Sequence, residues 1–407
     1  MGIRLVDERL RLGTGPFRAL FISSPGIDPA PYGVNAAVAA LREGARVTYI
    51  VNNKPADAIR AIADIMGFDL DDWEMTGQLR ILDSFTAYMS IPSEEAYRVD
   101  APQEVRSVVR AACENTPKDG VVVLDSISSY IDMCDGGEDE GVRRILALIA
   151  SVCDGRHLVG LLSTWGYEPA HVAQLRSTFD TVLALQPVER IAIVRQFLRA
   201  EKIDGKATSD LVVPIKVMRP GGVRVFFPKI LVTGPYHSGK STIVQAISTS
   251  SVSVDRMGTT IAMDHGYLDY RGFAADLYGT PGQELFDPIL EFLAEEAVAV
   301  ILVVDATKPE TFPRARRMLQ LTKGYALPLV VAANFSDLPE ALAPDEVRDR
   351  LGLAPETPVV PIIATRKAGA DELLEALFAL LLRDERLARL ETESGRPGVE
   401  ENAADEQ

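Results

Sequence analysis

The sequence predicts an α/β protein of two three-layer units, each a mostly parallel sheet with helices on both faces. Three observations carry this expectation. From Phe17 to about Gln186, short β-branched apolar runs alternate with longer amphipathic stretches, as buried strands and covering helices do. The alternation loosens after Gln186 and resumes at Ile230. Between them lies a Pro220-Gly221-Gly222 turn, which places a boundary near residues 220 to 228.

In chain order, the strands of the first unit read as RALFISS (18–24), ARVTYIV (45–51), LRILDS (79–84), GVVVLDS (120–126), LVGLLST (158–164) and TVLALQ (181–186). Helices are expected between them, among others over Pro55 to Met66 and Pro102 to Glu114. The stretch VERIAIVRQFLRAEKIDGKATSD reads as a helix running into a polar connector, and LVVPIKV with VRVFF as a hairpin that closes the unit. The second unit reads as strands ILVTG (230–234), TIAMDHG (260–266), AADLYG (274–279), VAVILVVDAT (298–307), LPLVVAANF (327–335) and PVVPIIA (358–364). Its last helix, Ala370 to Leu390, carries Leu373, Leu374, Leu377, Leu380 and Leu381 at helical spacing. The acidic tail beyond is poor in apolar residues and is expected to be disordered. The predicted domains are therefore 1–222, 223–390 and the tail 391–407.

Composition narrows the function. Lys and Arg number 42 against 58 Asp and Glu, a net charge of -16, the wrong sign for wrapping a phosphate backbone, so no nucleic-acid partner is expected. The three cysteines, Cys113, Cys134 and Cys153, are odd in number and lack metal-ligand spacing with the four histidines. No apolar run approaches the roughly 20 residues that span a bilayer, and the first residues are no signal peptide. A cytoplasmic protein without a membrane span is expected.

The strongest motif is Gly234-Pro235-Tyr236-His237-Ser238-Gly239-Lys240-Ser241, a match to GxxxxGK[ST] where the pattern switches from strand to helix. Such a loop turns backbone N–H groups onto phosphates, and the following helix adds its N-terminal dipole. Lys240 is expected to reach the terminal phosphates and Ser241 to ligate Mg2+. Gly234, His237, Ser238, Gly239 and Thr242 complete the expected phosphate contacts. Both units then read as P-loop-type domains.

VAANFSD (331–337) ends a strand with Asn334-x-x-Asp337 and resembles the guanine-reading NKxD signature of the Ras-like small GTPases, with Phe335 in place of the lysine. Ile363-Ala364-Thr365-Arg366-Lys367 is similar to the family's SAK loop, which places Ala364 and Thr365 beside the base. Gly258-Thr259-Thr260-Ile261 resembles the first switch and Gly279-Thr280-Pro281-Gly282-Gln283-Glu284 the second, in the GTPGQ form of prokaryotic members. The resemblance covers about residues 226 to 388. It implies GTP and GDP as ligands, with Mg2+ held by Ser241 and Thr260, Gly282 contacting the γ-phosphate and Gln283 orienting the attacking water. Lys240, Thr260 and Gln283 are then the catalytic set. Arg256 is in position for an arginine finger in cis or for plain solvent contact. The family's DxxG acid is replaced by Gly279, which leaves Asp276 and Asp264 as candidates to compensate.

Residues 17 to 225 are similar to the RecA/KaiC-like ATPase domains in strand order and in the strand ending Leu124-Asp125-Ser126. Where active members carry the phosphate loop, this chain has Ser23 to Asn35, without lysine and with three prolines that remove N–H donors. Asn52, Asn53 and Lys54 stand where catalytic carboxylates are expected. Asp125 keeps the place of the metal-associated acid, or serves as a helix cap or turn former. The resulting expectation is a GTP switch joined to a pseudo-ATPase domain for docking or self-association. Its partners would be a guanine nucleotide, a regulatory or effector protein and a second copy of the chain. An ATP-dependent motor and a scaffold without hydrolysis are the alternatives.

Overall fold

The structure, a computed structural model, describes residues 1–3, 6–7, 16–152, 155–190, 193–208, 211–253, 264–295, 297–323 and 327–383. The chain separates into two compact units, with the division between Val225 and Phe226. The acidic tail lies outside the described residues.

In the first unit, β1 (Arg18–Ser23), β2 (Val47–Val51), β3 (Leu79–Asp83), β4 (Val121–Asp125), β5 (His157–Ser163) and β6 (Thr181–Arg190) pair in parallel in the order β3-β2-β4-β5-β1-β6. Every residue of β2 and β4 is buried, which is why both read as unbroken apolar runs. Helices α1 (Ala30–Arg42), α2 (Ala56–Ile65), α3 (Val105–Asn115) and α4 (Gly137–Val152) connect the strands. One core gathers Leu20, Ile50, Val122, Ile127, Ile149 and Leu158.

The stretch after Gln186 is a correction. Its described residues form no helix: β6 runs on to Arg190 and pairs antiparallel with β7 (Ile193–Ile203), which pairs on its other side with β9 (Val212–Met218) and at its end with the two-residue β8 (Lys206–Ala207). Val194, Phe197 and Leu198 have the i, i+3, i+4 spacing of a helix face. Phe197 and Leu198 are nonetheless both buried as neighbours on a central strand, 2% and 0% exposed, because both faces of β7 are covered there.

The strand β10 (Gly222–Thr233) pairs antiparallel with β9 through its first residues, forming the expected hairpin, and in parallel with β14 (Ala299–Asp305) through Ile230 to Thr233. The second unit continues with β15 (Leu329–Asn334) and β16 (Val359–Ile362), parallel to one another and to β14. On the other side stand β11 (Ser250–Ser253), β12 (Asp264–Tyr270) and β13 (Phe273–Gly279), all antiparallel. Expected to end at Gly266, β12 instead continues to Tyr270, because Arg271 and Gly272 both take positive φ, 47° and 89°, and turn a tight hairpin into β13. Strand β11 is not among the strands expected from the sequence.

Around this sheet pack α5 (Lys240–Ile247), α6 (Asp287–Glu295), α7 (Phe312–Lys323), α8 (Pro344–Leu351) and α9 (Ala370–Arg383). Helix α9 buries Leu373, Leu374, Leu377, Phe378 and Leu381, while Leu380 is half-buried. The Phe378 ring lies 4.6 Å from Phe273 and 5.7 Å from Phe227, so it anchors α9 on the sheet. Truncation would leave a cavity among aromatic rings that cannot collapse. Phe378→Ala is expected to cost the second unit about 3 to 5 kcal/mol, read as a lower urea midpoint for its unfolding.

Candidate functional site

The loop from Gly234 to Gly239 joins β10 to α5, and its shape depends on glycines that let backbone approach backbone. A side chain on Gly234 would collide with the Val303 carbonyl of β14. Gly239 has φ 92°, and a side chain there would strike the Asn334 amide; the Phe335 ring edge lies beside the same point. Lys240 opens α5 and its Nζ donates to the Pro235 carbonyl at 2.8 Å, which curls the ammonium back over the loop. Burial pushes Lys240 down to about 8, against the pull of the Asp264 carboxylate. Ser241 is exposed and Thr242 half-buried on the first helical turn, where N–H groups have no helical acceptor. His237 takes φ 62°, with its ring 3.8 Å from that of Tyr236, and both are exposed. Ser238 is fully buried, and its hydroxyl has no hydrogen-bond partner among the described residues.

Asn334, 2% exposed at the end of β15, ties two loops together. Its Nδ2 donates to the Ser238 carbonyl at 3.1 Å, and its Oδ1 accepts the Ala364 N–H at 3.2 Å. The phosphate loop and the 364–366 turn are therefore held at one spacing by one amide. Phe335, with φ 63°, turns the chain outward; Asp337 follows, exposed, with an oxygen 4.0 Å from Arg366 Nη1. Ala364 is buried and Thr365 exposed.

The second-switch residues leave β13 against the same loop. Thr280 donates its N–H to the Val232 carbonyl at 2.9 Å and its hydroxyl to Thr233 Oγ1 at 2.8 Å. A Cβ on Gly282 would stand 2.5 Å from the Tyr236 nitrogen and 2.8 Å from the Gly234 oxygen, so only glycine fits on the loop there. Gln283 is exposed beside it. Arg314 of α7 had no motif to mark it: its Nε donates to the Gly282 carbonyl at 3.2 Å, and its guanidinium pairs with Asp287. Thr260 and Arg256 lie outside the described residues.

The two carboxylates considered as substitutes for the acid absent at Gly279 lie on opposite faces of the β12–β13 ladder. Asp264 lies directly across from Gly279, on the buried face with Gly266, Leu268, Ala275 and Leu277. Asp276 lies on the other face, 3.9 Å from His265 Nε2.

In the first unit the corresponding loop is closed by its own side chains. Asp28 Oδ1 accepts the Ala30 N–H at 3.0 Å at the start of α1, and Lys54 Nζ pairs with the same carboxylate at 3.0 Å. Asn52 holds Ser126 by its backbone, donating to the Ser126 carbonyl at 2.9 Å and accepting the Ser126 N–H. The cap of the following helical turn is Ser126, whose Oγ accepts the Ser129 N–H, and not Asp125. Asp125 is 1% exposed and accepts the Tyr49 hydroxyl at 3.1 Å.

Residues 226–381 match the family model of the ADP-ribosylation factor family, and residues 35–229 match that of the KaiC ATPase. The chain therefore carries a GTPase-type domain in its C-terminal region and a KaiC-like ATPase-type domain in its N-terminal region. Translation initiation factor IF-2 of Thermotoga sp. (strain RQ2) is 31% identical over 160 residues, 37% of this chain and 23% of the factor. The factor of Erythrobacter litoralis (strain HTCC2594) is 28% identical over 230 residues, 53% of this chain and 27% of its own length. The chain thus spans about a quarter of the curated relatives it matches. A solved KaiC-like protein from Pyrococcus horikoshii OT3 aligns with TM-score 0.42 and 15% identity over 51% of this chain and 89% of its own. The cytosolic domain of the T. maritima FeoB iron transporter aligns with TM-score 0.33 and 22% identity over 39% and 65%. No helix among the described residues is long and apolar enough to cross a membrane.

Two outcomes follow from this geometry. Asn334→Ala would leave the buried Ser238 carbonyl without its donor and release the 364–366 turn, at a cost of about 1 to 3 kcal/mol in urea-monitored stability of the second unit. In the first unit, burial raises Asp125 to about 6 from 3.8, so the folded state binds its proton more tightly than the unfolded chain. The stability this gives is present below about pH 4 and is lost as pH rises through 6. Asp125→Asn should therefore raise the unfolding midpoint at pH 7.5, by up to about 2 to 3 kcal/mol, and leave it unchanged at pH 4.

Proposed function

We propose that the protein is a GTP-binding molecular switch that hydrolyses GTP to GDP in its C-terminal unit, while its KaiC-like unit serves docking or self-association. The observation that carries the reading is the single Asn334 amide linking the phosphate loop to the 364–366 turn, with the Asp337 carboxylate exposed beside it. In this reading Asp337 accepts the paired N–H donors of guanine, which adenine lacks, and Phe335 covers the base. Lys240 leaves the Pro235 carbonyl for the phosphates, and the Gly282 N–H faces the γ-phosphate. Gln283 orients water.

The site also suits a hard divalent cation. No group of three or more His, Cys, Asp or Glu that could hold a metal gathers among the described residues, so an Mg2+ would rest on the Ser241 hydroxyl, nucleotide oxygens and water, with Thr260 added from the first switch. When bound, the ion neutralises charge that develops on the phosphoryl oxygens. The arginine found at the loop, Arg314, is engaged by Asp287 and the Gly282 carbonyl, and hydrolysis is accordingly slow without a partner. The closed Asp28–Lys54 loop favours this reading over an ATP motor using both units.

Calorimetry of the full chain with GTP, ATP and xanthosine triphosphate tests the reading. GTP should bind and ATP should not compete. Asp337→Asn should weaken GTP by about 1 to 3 kcal/mol and favour the xanthine nucleotide, because the donor pattern at the base edge is inverted. Equal affinity for ATP and GTP in the parent would refute the guanine assignment.

A further inference from the structure

The second unit has glycine at 279, the last residue of β13, where the resemblance leads one to expect an acid, and the structure points to where its work has gone. We propose that Asp264, on the neighbouring strand β12, is the positioning residue that orients the water shell of the nucleotide-bound Mg2+ in place of the carboxylate absent at Gly279. The proposal rests on the guanine-nucleotide reading above.

Register is the first support. Asp264 and Gly279 are paired partners in the antiparallel β12–β13 ladder, and directly opposed residues project from the same face of a sheet. Space is the second. A Cβ built on Gly279 would stand 2.9 Å from Asp264 Cβ and 3.3 Å from Asp264 Oδ2. The volume that a side chain at 279 would occupy is therefore already held by the Asp264 carboxylate, and glycine at 279 is what lets it be there.

The face itself is the third. On this side of the ladder a Cβ on Gly266 would approach Val244 Cγ1 to 3.0 Å, so the covering element is α5, the helix that begins with Lys240 and Ser241. Asp276 has none of these properties: its partner is Tyr267, and it shares the opposite face with His265 and Tyr278. A carboxylate that does not touch the ion can still fix its bound waters by accepting their hydrogen bonds, and losing such a partner typically weakens metal affinity about 10- to 100-fold.

The test is release of a fluorescent GDP analogue from the full chain across a chelator-buffered series of free Mg2+. In the parent, release should slow as Mg2+ rises, with a defined half-effect concentration. Asp264→Asn should raise that concentration about tenfold. Asp276→Asn should behave like the parent. The double change Asp264→Gly with Gly279→Asp returns a carboxylate from the other strand and clears the space for it, and should restore the parental Mg2+ requirement. If Asp264→Asn keeps the parent's half-effect concentration, or if the folded exchange variant needs as much Mg2+ as Asp264→Asn, the assignment to Asp264 is wrong. A parent that holds no guanine nucleotide at any Mg2+ concentration would instead overturn the switch reading, and this inference with it.

Discussion

The second unit depends on the close approach that three glycines allow at the end of β10. Gly234 lies against the Val303 carbonyl, Gly239 against the Asn334 amide, and Gly282 against the nitrogen of Tyr236, three contacts at which any side chain would collide. Together they fix how far the phosphate loop stands from β14, from β15 and from the start of the second switch. Asn334 then converts proximity into a specific link, because it donates to one loop and accepts from another. Both hydrogen bonds are buried, where an unmade bond is costly, so the spacing has little freedom to drift.

Within this arrangement the loop gathers cationic, hydroxyl and backbone groups. The Lys240 ammonium is satisfied internally by Pro235, at the expense of partial burial that lowers its pKa. Ser241 projects on the exposed first turn of α5, and the buried Ser238 hydroxyl has no partner among the described residues. A phosphate chain would supply acceptors for these donors at once, which is the chemistry that glycine-rich loops at helix N-termini offer.

Much of the fold was legible in the sequence because strands buried on both faces leave unbroken apolar runs, as β2, β4 and β14 do. The β6–β7 hairpin was not, since Val194, Phe197 and Leu198 carry helical spacing, while the adjacent Phe197 and Leu198 are buried together because both faces of this centrally paired strand are covered. Motif spacing marked Lys240, Asn334 and Gly282, whose surroundings the structure describes. It could not mark Arg314, whose partners are a backbone carbonyl and a carboxylate distant in sequence. Nor could it choose between Asp264 and Asp276. Alternation along β13 is visible in the sequence, but which residues of β12 share its faces depends on a register fixed by the Arg271-Gly272 turn.

The two units treat the same structural feature in opposite ways. At the start of α1 an N–H that an anion could take is given to the Asp28 carboxylate, and Lys54 neutralises that carboxylate from the end of β2. The helix terminus thus meets an internal anion and its counter-ion, and Asn52 occupies itself with the Ser126 backbone where a catalytic acid would otherwise stand. At the start of α5 the glycine loop remains open, with Ser241 exposed and Lys240 folded onto a carbonyl that it can leave. An internal carboxylate, tethered by its own chain, thus holds the N–H and the ammonium that an anion at the start of α1 would otherwise meet.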